Sequence, residues 1–170
     1  MKKPIFLLLS LFFLTACLQS PPRTAAEVEQ ESHCQEDKYA DTKFCFSPEY
    51  SDGLVSAYLG INGNWSSAEA YLIGEYHANN WLFLESAKDS SGKNMKFRQK
   101  NRDVSVHSAM ITETFFLDAV DTAYLKKHKD IGLDIKLYGD RGNAILKLPP
   151  EYIQGFLNFM KHNGLQKKGA

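Results

Sequence analysis

The sequence predicts an α+β fold: a mostly antiparallel β-sheet with one short helix and a C-terminal packing helix. Several short segments alternate apolar and polar residues, which is the period of a strand with one buried face. Turn sequences such as Asp89-Ser90-Ser91-Gly92 separate these segments. Near the end of the chain the apolar residues instead follow a helical period, at Ile153, Phe156, Leu157 and Met160.

The chain opens with the three parts of a secretory signal. Lys2 and Lys3 precede an apolar segment, 5–14, that only Ser10 interrupts. This segment is too short to span a bilayer, which needs about 20 residues. It ends in Leu14-Thr15-Ala16-Cys17, which resembles the lipobox of bacterial lipoproteins. The alternative interpretations are an ordinary signal peptide with a chance cysteine, or an N-terminal apolar helix.

The resemblance to bacterial lipoproteins implies how the leader is processed. Residues 1–16 are removed as a signal peptide, and the thiol of Cys17 receives a diacylglyceryl group. The new amino terminus is then acylated with a fatty acid such as palmitate, and several acyl chains give stable anchoring where one does not. In many Gram-negative bacteria an aspartate after the cysteine retains the lipoprotein in the inner membrane. Leu18 therefore favours the outer membrane, with the domain in the periplasm.

Composition divides the mature chain into three parts. Residues 17–33 are polar, small or charged and include Pro21-Pro22, so we expect a lipidated, flexible tether. Residues 34–165 suffice for a single globular domain with its own core, and 166–170 are expected to be a disordered tail. Without Lys2 and Lys3 the chain has 18 basic and 20 acidic side chains. That near balance argues against nucleic acid as a partner.

Cys34 and Cys45 are the remaining cysteines once Cys17 carries a lipid. An oxidising compartment favours a disulfide between them, which would close a short loop and contribute roughly 2–3 kcal/mol. A redox or metal-binding pair would need closer spacing or further ligands. We therefore interpret the pair as a structural bridge.

Strand signals dominate the expected domain. We expect strands at 54–59, 70–77, 81–87, 94–99 and 112–120. Residues 81–84 are apolar on both faces of their strand, which favours a central position in the sheet.

Helix and hairpin signals follow in the last third of the chain. Asp121 is a suitable N-cap for a short helix at 122–129. The segments 133–138 and 144–148 then flank the turn Gly139-Asp140-Arg141-Gly142, which predicts a hairpin. The terminal helix is expected to begin at Pro149-Pro150 and to end at Asn163-Gly164.

Candidate catalytic residues are few. Glu75 and His77 share one face of the expected strand, so they could ligate a metal or act as an acid–base pair. Two ligands at this spacing occur often by chance, and the sequence indicates no third. We therefore assign no catalytic residue, no metal site and no cofactor, and we interpret the pair as part of a polar face.

A basic stripe is the clearest binding feature of the sequence. Lys96, Arg98, Lys100 and Arg102 recur at every second residue, and Lys93 lies just before them. On a straight strand these side chains would project from one face and could meet phosphates of lipid headgroups, lipopolysaccharide, or acidic groups of the cell wall. The simpler interpretation is a solvated edge strand whose lysines oppose aggregation.

Two classes of function remain open from the sequence. We expect a non-enzymatic envelope protein, tethered by lipid, that binds another envelope protein or a surface component as an adaptor or an exclusion-type protein. The alternative is a small envelope hydrolase. An enzyme should show a concave site with converging polar groups, whereas a binding protein should show a flat apolar or basic patch.

Overall fold

Strands make up most of the chain described by a computed structural model, which covers residues 23–37, 39, 42–62, 69–105, 110–118 and 120–165. The expected signal peptide, Cys17 and the expected tail at 166–170 lie outside these residues. The elements in chain order are α1 (Ala25–Glu31), β1 (His33–Asp37), β2 (Thr42–Phe46), β3 (Tyr50–Asp52), β4 (Val55–Asn62), β5 (Glu69–Ala78), β6 (Leu84–Asp89), β7 (Asn94–Val104), β8 (Ile111–Asp118), α2 (Thr122–His128), β9 (Leu133–Gly139), β10 (Gly142–Leu148) and α3 (Pro150–His162). None of these three helices has the length and apolar character needed to cross a membrane.

The strands form one antiparallel sheet in the order β1-β2-β4-β5-β8-β7-β6-β9-β10, and β3 pairs with the free part of β4. The sheet is curved, because β10 at one edge comes close to β3 near the other. The backbone N–H of Lys147 in β10 donates a hydrogen bond of 2.9 Å to the carboxylate of Asp52 in β3. This carboxylate satisfies one donor of an otherwise open strand edge.

The predicted α+β class with two helices is wrong. In the described residues the protein is β-rich, with ten strands and three helices. The strands β1, β2 and β3 were not expected, because they are only three to five residues long. Strands this short carry too few side chains to show a clear alternation. Pairing stabilises them instead, since β2 and β3 pair with β4 and β1 pairs with β2.

Helix α3 packs on one side of the sheet, which we call the inner face. Its expected apolar stripe is confirmed, since Ile153, Phe156 and Met160 are fully buried. Tyr152 is also buried, and its hydroxyl donates a hydrogen bond of 2.7 Å to the carbonyl of Pro48, in the loop between β2 and β3. Helix α3 therefore acts as a structural lid on the curved sheet.

Helix α1 lies within the segment 17–33, which we expected to be a flexible tether. Thr24 and Glu27 form a capping box at its start, in which each side chain binds the backbone N–H of the other residue. Val28 is fully buried against α3, where a Cβ on Gly155 would lie 2.6 Å from the Cβ of Val28. The second half of the expected tether is thus a helix docked on the domain. The folded part of the described chain therefore begins before residue 34.

The expected disulfide is present. Cys34 and Cys45 are bonded and face each other in the register of β1 and β2. Cys45 is buried in the core, so the bridge ties the edge strand β1 to the interior of the sheet.

Several local elements match the sequence, and one does not. The hairpin β9–β10, helix α2 and helix α3 lie where we expected them. The strand expected at 81–87 instead begins at Leu84, because Trp81, Leu82 and Phe83 are outside the sheet. It also lies between β7 and β9 rather than at the centre of the strand order.

Candidate functional site

The basic stripe does not lie on one face of the sheet. Strand β7 pairs with β8 through Gln99 opposite Phe115 and then Asn101 opposite Thr114, which leaves Lys100 in a bulge. A one-residue shift of this kind turns every later side chain to the other face. The side chains therefore do not form the single stripe of a straight strand, because Arg102 belongs to the inner face, away from the other cations. The simpler interpretation is also wrong, because β7 lies between β8 and β6 and is not an edge strand.

The cations that remain on the other side, which we call the outer face, meet aromatic rings and one acid. Arg98 makes two hydrogen bonds of 2.7 and 2.8 Å to the carboxylate of Asp118, and Lys96 lies 3.6 Å from it. Arg98 and Lys100 both lie over the ring of Phe116, at 5.0 and 5.1 Å from its centroid. The hydrogen bonds from Arg98 hold the pKa of Asp118 below its usual value.

Lys93 lies in the turn before β7 rather than in the strand. Its ammonium is 5.2 Å from the centre of the Tyr124 ring in α2. Lys93 and Lys96 both line a small cavity of about 30 Å³, together with Asp89, Asn94, Met95, Asp118 and Tyr124. This volume is far below the roughly 300–1,000 Å³ of typical ligand pockets.

Arg102 meets a buried carboxylate that the sequence analysis did not single out. Glu113 of β8 is fully buried, and one of its oxygens accepts hydrogen bonds from the backbone N–H groups of Leu82 and Phe83, at 2.7 and 2.9 Å. The other oxygen accepts from the N–H of Leu84 at 2.9 Å and from Arg102 at 3.2 Å. Four donors thus satisfy a charge that would otherwise be costly to bury.

These hydrogen bonds hold Phe83 in a strained conformation. Its φ of +55° makes it the single residue other than glycine with positive φ among the described residues. An aromatic residue rarely adopts this region, and the strain costs about 1–3 kcal/mol. The three N–H groups that Glu113 binds belong to Phe83 and its two neighbours, so the buried carboxylate stabilises the strained turn directly.

Strand β9 and the following turn hold the same segment from the other side. A Cβ on Gly139 would lie 2.2 Å from the carbonyl oxygen of Leu82, so only glycine allows this approach. The N–H of Arg141 donates to that same carbonyl at 3.1 Å. The segment from Trp81 to Leu84 is therefore fixed by contacts from two different parts of the sheet.

The outcome is a rigid aromatic and basic group of side chains, which we call the Phe83 cluster: Trp81, Phe83, Arg102 and Arg141. The guanidinium groups of Arg102 and Arg141 lie 5.2 and 4.8 Å from the centre of the half-buried Phe83 ring. The Trp81 ring is 6.0 Å from it. Arg102 is paired with Glu113, whereas no carboxylate within the described ranges lies at ion-pair distance from the exposed Arg141.

One signal in the sequence could have located this cluster. In β8, Ile111, Phe115 and Leu117 are buried at alternate positions, and Glu113 occupies the matching position between them. A lone acid within an apolar alternation indicates a buried carboxylate that needs donors. The identity of those donors is not visible in the sequence, because they lie about thirty residues away.

Glu75 and His77 lie together, on the outer face. Their side chains are 3.3 Å apart, His77 contacts the hydroxyl of Thr112 at 3.1 Å, and Thr114 contacts Glu75 at 3.4 Å. All of these side chains are partly exposed. Across the part of the chain that the structure describes, no group of three or more His, Cys, Asp or Glu side chains is placed to hold a metal ion.

Four partly exposed aromatic rings cross the outer face, from Phe46 through Tyr58 and Tyr71 to Phe116. Phe46 and Tyr58 have centroids 5.6 Å apart, and Tyr71 and Phe116 6.0 Å. The Tyr71 ring lies over Gly60, where a Cβ would be 2.5 Å from it. Burial, with a smaller contribution from Tyr58, raises the pKa of Tyr71 to about 12. We call these four residues the aromatic band.

Comparison with known proteins identifies the leader. Residues 1–17, which end at Cys17, match the family described as prokaryotic membrane lipoprotein lipid attachment site. No curated protein and no solved structure matches the chain. The protein is therefore a membrane-anchored bacterial lipoprotein.

Proposed function

We propose that this lipoprotein is a non-enzymatic binding protein of the bacterial envelope that recognises a protein partner through the Phe83 cluster. The observation that carries the proposal is the strained, half-exposed Phe83 between two arginines. A ring that only filled the core would not need an unfavourable backbone. The fold instead uses Glu113, Gly139 and Arg141 to keep it in place.

Rigidity favours binding at this cluster. A side chain that is already fixed loses little conformational entropy when a partner covers it, so more of the contact energy appears as affinity. Trp and Arg are also the residue types that most often dominate the energetics of protein interfaces. The Phe83 cluster combines these residue types with a fixed backbone.

The charges of the cluster specify the partner. Glu113 balances the charge of Arg102, whereas Arg141 lies beside the Phe83 ring with no described carboxylate at ion-pair distance. We therefore expect a partner surface with an apolar pocket for Phe83 and a carboxylate that faces Arg141. Such a charge pair, once desolvated, fixes the orientation of the two proteins.

The alternative, a small hydrolase, gains no support from the arrangement of Glu75 and His77. These side chains are partly exposed on the outer face and bring together only one acid and one histidine, whereas an active site needs a concave site with converging groups. Apart from each other, their partners are the hydroxyls of Thr112 and Thr114. We therefore favour the binding protein over the enzyme.

The anchor places this binding function in the envelope. We propose that Cys17 carries the lipid and that Leu18 directs the protein to the outer membrane, facing the periplasm. The domain would then bind its partner in the periplasm. A Cys17→Ser chain should lose incorporation of labelled palmitate, and labelling that persists would contradict the assignment.

Crosslinking in intact cells tests the Phe83 cluster. A photoreactive phenylalanine analogue in place of Trp81 should give a discrete crosslinked protein. The Arg141→Glu change should weaken binding of that purified protein about tenfold or more, because it reverses the charge at the contact.

The pair Lys136 and Tyr138 provides a matched control, since Lys136 lies 5.1 Å from the Tyr138 ring without any strained turn. Crosslinking from Tyr138 should not give the same product, and Lys136→Glu should leave binding unchanged. Equal crosslinking from both positions, or binding that is indifferent to Arg141→Glu in a correctly folded variant, would contradict the proposal.

A further inference from the structure

Helix α1 lies where the membrane anchor joins the folded domain. We propose that α1 is a reversible length switch. Docked on α3, it holds the domain close to the membrane, and pulled away from α3, it unfolds and lets the domain stand farther out. This inference rests on the proposed function in one respect only, the lipid on Cys17, and the palmitate labelling of the Cys17→Ser chain tests that attachment separately.

The contact that docks α1 on α3 is small. Within the span Ala25–Glu31, Val28 alone is buried. Glu29 pairs with His162 near the end of α3, and the side chain of His162 is 68% exposed. A helix as short as α1 is marginal in water without tertiary contacts. Because one apolar side chain and one exposed ion pair supply these contacts, α1 should separate from the domain more readily than the buried strands of the core separate from one another.

Gly155 in the middle of α3 makes the docked state possible. A Cβ at this position would lie 2.4 Å from the carbonyl oxygen of Ala25 and 2.6 Å from the Cβ of Val28. The three atoms nearest to such a Cβ all belong to α1. A methyl group here would therefore push α1 away, while alanine favours the helical conformation of α3 itself. The docked state thus depends on the absence of one side chain.

A pull from the membrane reaches α1 before any other described element, because α1 is the first element after the anchor. The next element is β1, in which Cys34 is bonded to Cys45 of β2. Cys45 is buried in the core, so this bond fastens β1 to the interior of the sheet. Tension can therefore detach α1, but it cannot peel β1 beyond Cys34 without breaking a covalent bond. The disulfide determines where the released segment ends.

Release of α1 increases the reach of the domain by a defined length. In the docked state the chain is fixed from Thr24 onward, and the segment from Cys17 to Thr24 spans at most roughly 25 Å. In the released state it is fixed from Cys34 onward, and the segment from Cys17 to Cys34 spans at most roughly 60 Å. The domain can then follow a bound partner away from the membrane without losing its fold.

The two ends of α1 carry the hydrogen bonds that let the helix form again. Thr24 and Glu27 form the capping box at its start, and the hydroxyl of Ser32 donates a hydrogen bond of 2.6 Å to the carbonyl of Val28 at its end. These hydrogen bonds join residues that are close in sequence, so they return whenever the segment refolds. Release of α1 is therefore reversible.

Single-molecule pulling of the full lipidated chain tests the length switch. The lipid is held in a supported bilayer of phosphatidylethanolamine and phosphatidylglycerol, and a handle is attached through an Asp140→Cys substitution in the exposed turn between β9 and β10. The chain should lengthen in one reversible step before the sheet unfolds. The step should measure at most roughly 25 Å, which is the extended length of residues 25–34 less the length of α1.

Substitutions on both sides of the contact identify the step. Gly155→Ala should abolish it and increase the resting length, because α1 is already displaced. Val28→Ala, which leaves α3 unchanged, should lower the force at which the step occurs. Gln154→Ala, at the exposed neighbouring position of α3, is the matched control and should retain the step at the same force. Reduction of the bond between Cys34 and Cys45 should lengthen the step, because β1 can then separate from β2 as well.

Three results would overturn the proposal. They are extension without a step before the sheet unfolds, a step that neither Gly155→Ala nor Val28→Ala alters, or a step of the same length after the disulfide is reduced. Hydrogen exchange of the α3 amides, which should stay protected in Gly155→Ala, verifies that only α1 has been displaced. None of these results depends on the partner of the Phe83 cluster, because no partner is present in the experiment.

Discussion

Strand β8 carries two carboxylates, Glu113 and Asp118, and each meets an arginine of the neighbouring strand β7. Glu113 pairs with Arg102 on the inner face at 3.2 Å, and its side chain is fully buried. Asp118 pairs with Arg98 on the outer face at 2.7 Å, and its side chain is 21% exposed. The two pairs have the same chemistry and the same pair of strands. The alternation of β8 puts the two acids on opposite faces, and the bulge at Lys100 does the same for the two arginines, which are four residues apart.

The difference between the pairs lies in what each carboxylate holds. Asp118 binds cations that would be solvated without it, so it contributes little to folding. Glu113 instead satisfies three backbone N–H groups of the turn that carries Phe83. The buried pair therefore determines the backbone of the binding cluster, whereas the exposed pair adjusts the charge of a surface.

Removing the buried carboxylate should have the largest effect on the free energy of unfolding. Glu113→Ala leaves three buried N–H groups and Arg102 without their acceptor, which should lower the free energy of unfolding by about 3–5 kcal/mol. Urea unfolding of the mature chain without its lipid measures the loss. The exposed Glu85→Ala change in β6 is the control and should stay within about 0.5 kcal/mol. Equal effects of the two substitutions would show that Glu113 does not hold the turn.

An intermediate effect is expected at Arg102. Arg102→Gln removes one charged donor from Glu113, but the three backbone N–H groups remain, so the loss should be about 1.5–3 kcal/mol in the same unfolding measurement. The matched substitution on the outer face, Arg98→Gln, should cost less than about 1 kcal/mol. A larger loss for Arg98→Gln than for Arg102→Gln would reverse the order of the two pairs.

The smallest effect is expected at the exposed pair, and it should depend on pH. Asp118→Asn should cost about 0.2–1 kcal/mol near neutral pH. The hydrogen bonds from Arg98 lower the pKa of folded Asp118 below 3.8, so its contribution is present above that pH. The contribution should disappear as the pH falls through the folded pKa. Thermal unfolding at neutral pH and at about pH 3 checks this, and a difference between the two proteins that is independent of pH would contradict it.

Sequence signals located the elements whose stability is local. The carboxylate of Asp121 caps α2 by accepting a hydrogen bond of 2.7 Å from the N–H of Tyr124, as expected from the sequence. The glycines at 139 and 142 bound the turn of the β9–β10 hairpin. In each case the residues that determine the element are within a few positions of one another, so tertiary contacts are not needed to recognise it.

Helix α1 shows where local signals were too weak. Thr24 and Glu27 form a capping box that can be found in the sequence, yet a helix of seven residues is marginal without tertiary contacts. Those contacts come from Gly155 in α3, which is distant in sequence and allows Val28 to pack closely. From the sequence alone, this segment was therefore interpreted as a polar tether, because its packing against α3 is not visible there.

The sequence by itself determined the lipid attachment site, the pairing of Cys34 with Cys45 and the alternation that buries one side of β8. The tertiary structure alone decided which face receives Arg102 and which donors Glu113 finds. A bulge of one residue reverses every later side chain, and its position depends on the pairing of β7 with β8. The strain at Phe83 likewise depends on hydrogen bonds to a carboxylate thirty residues away. The Phe83 cluster could therefore be identified only from the fold, which brings Phe83 and Glu113 into contact.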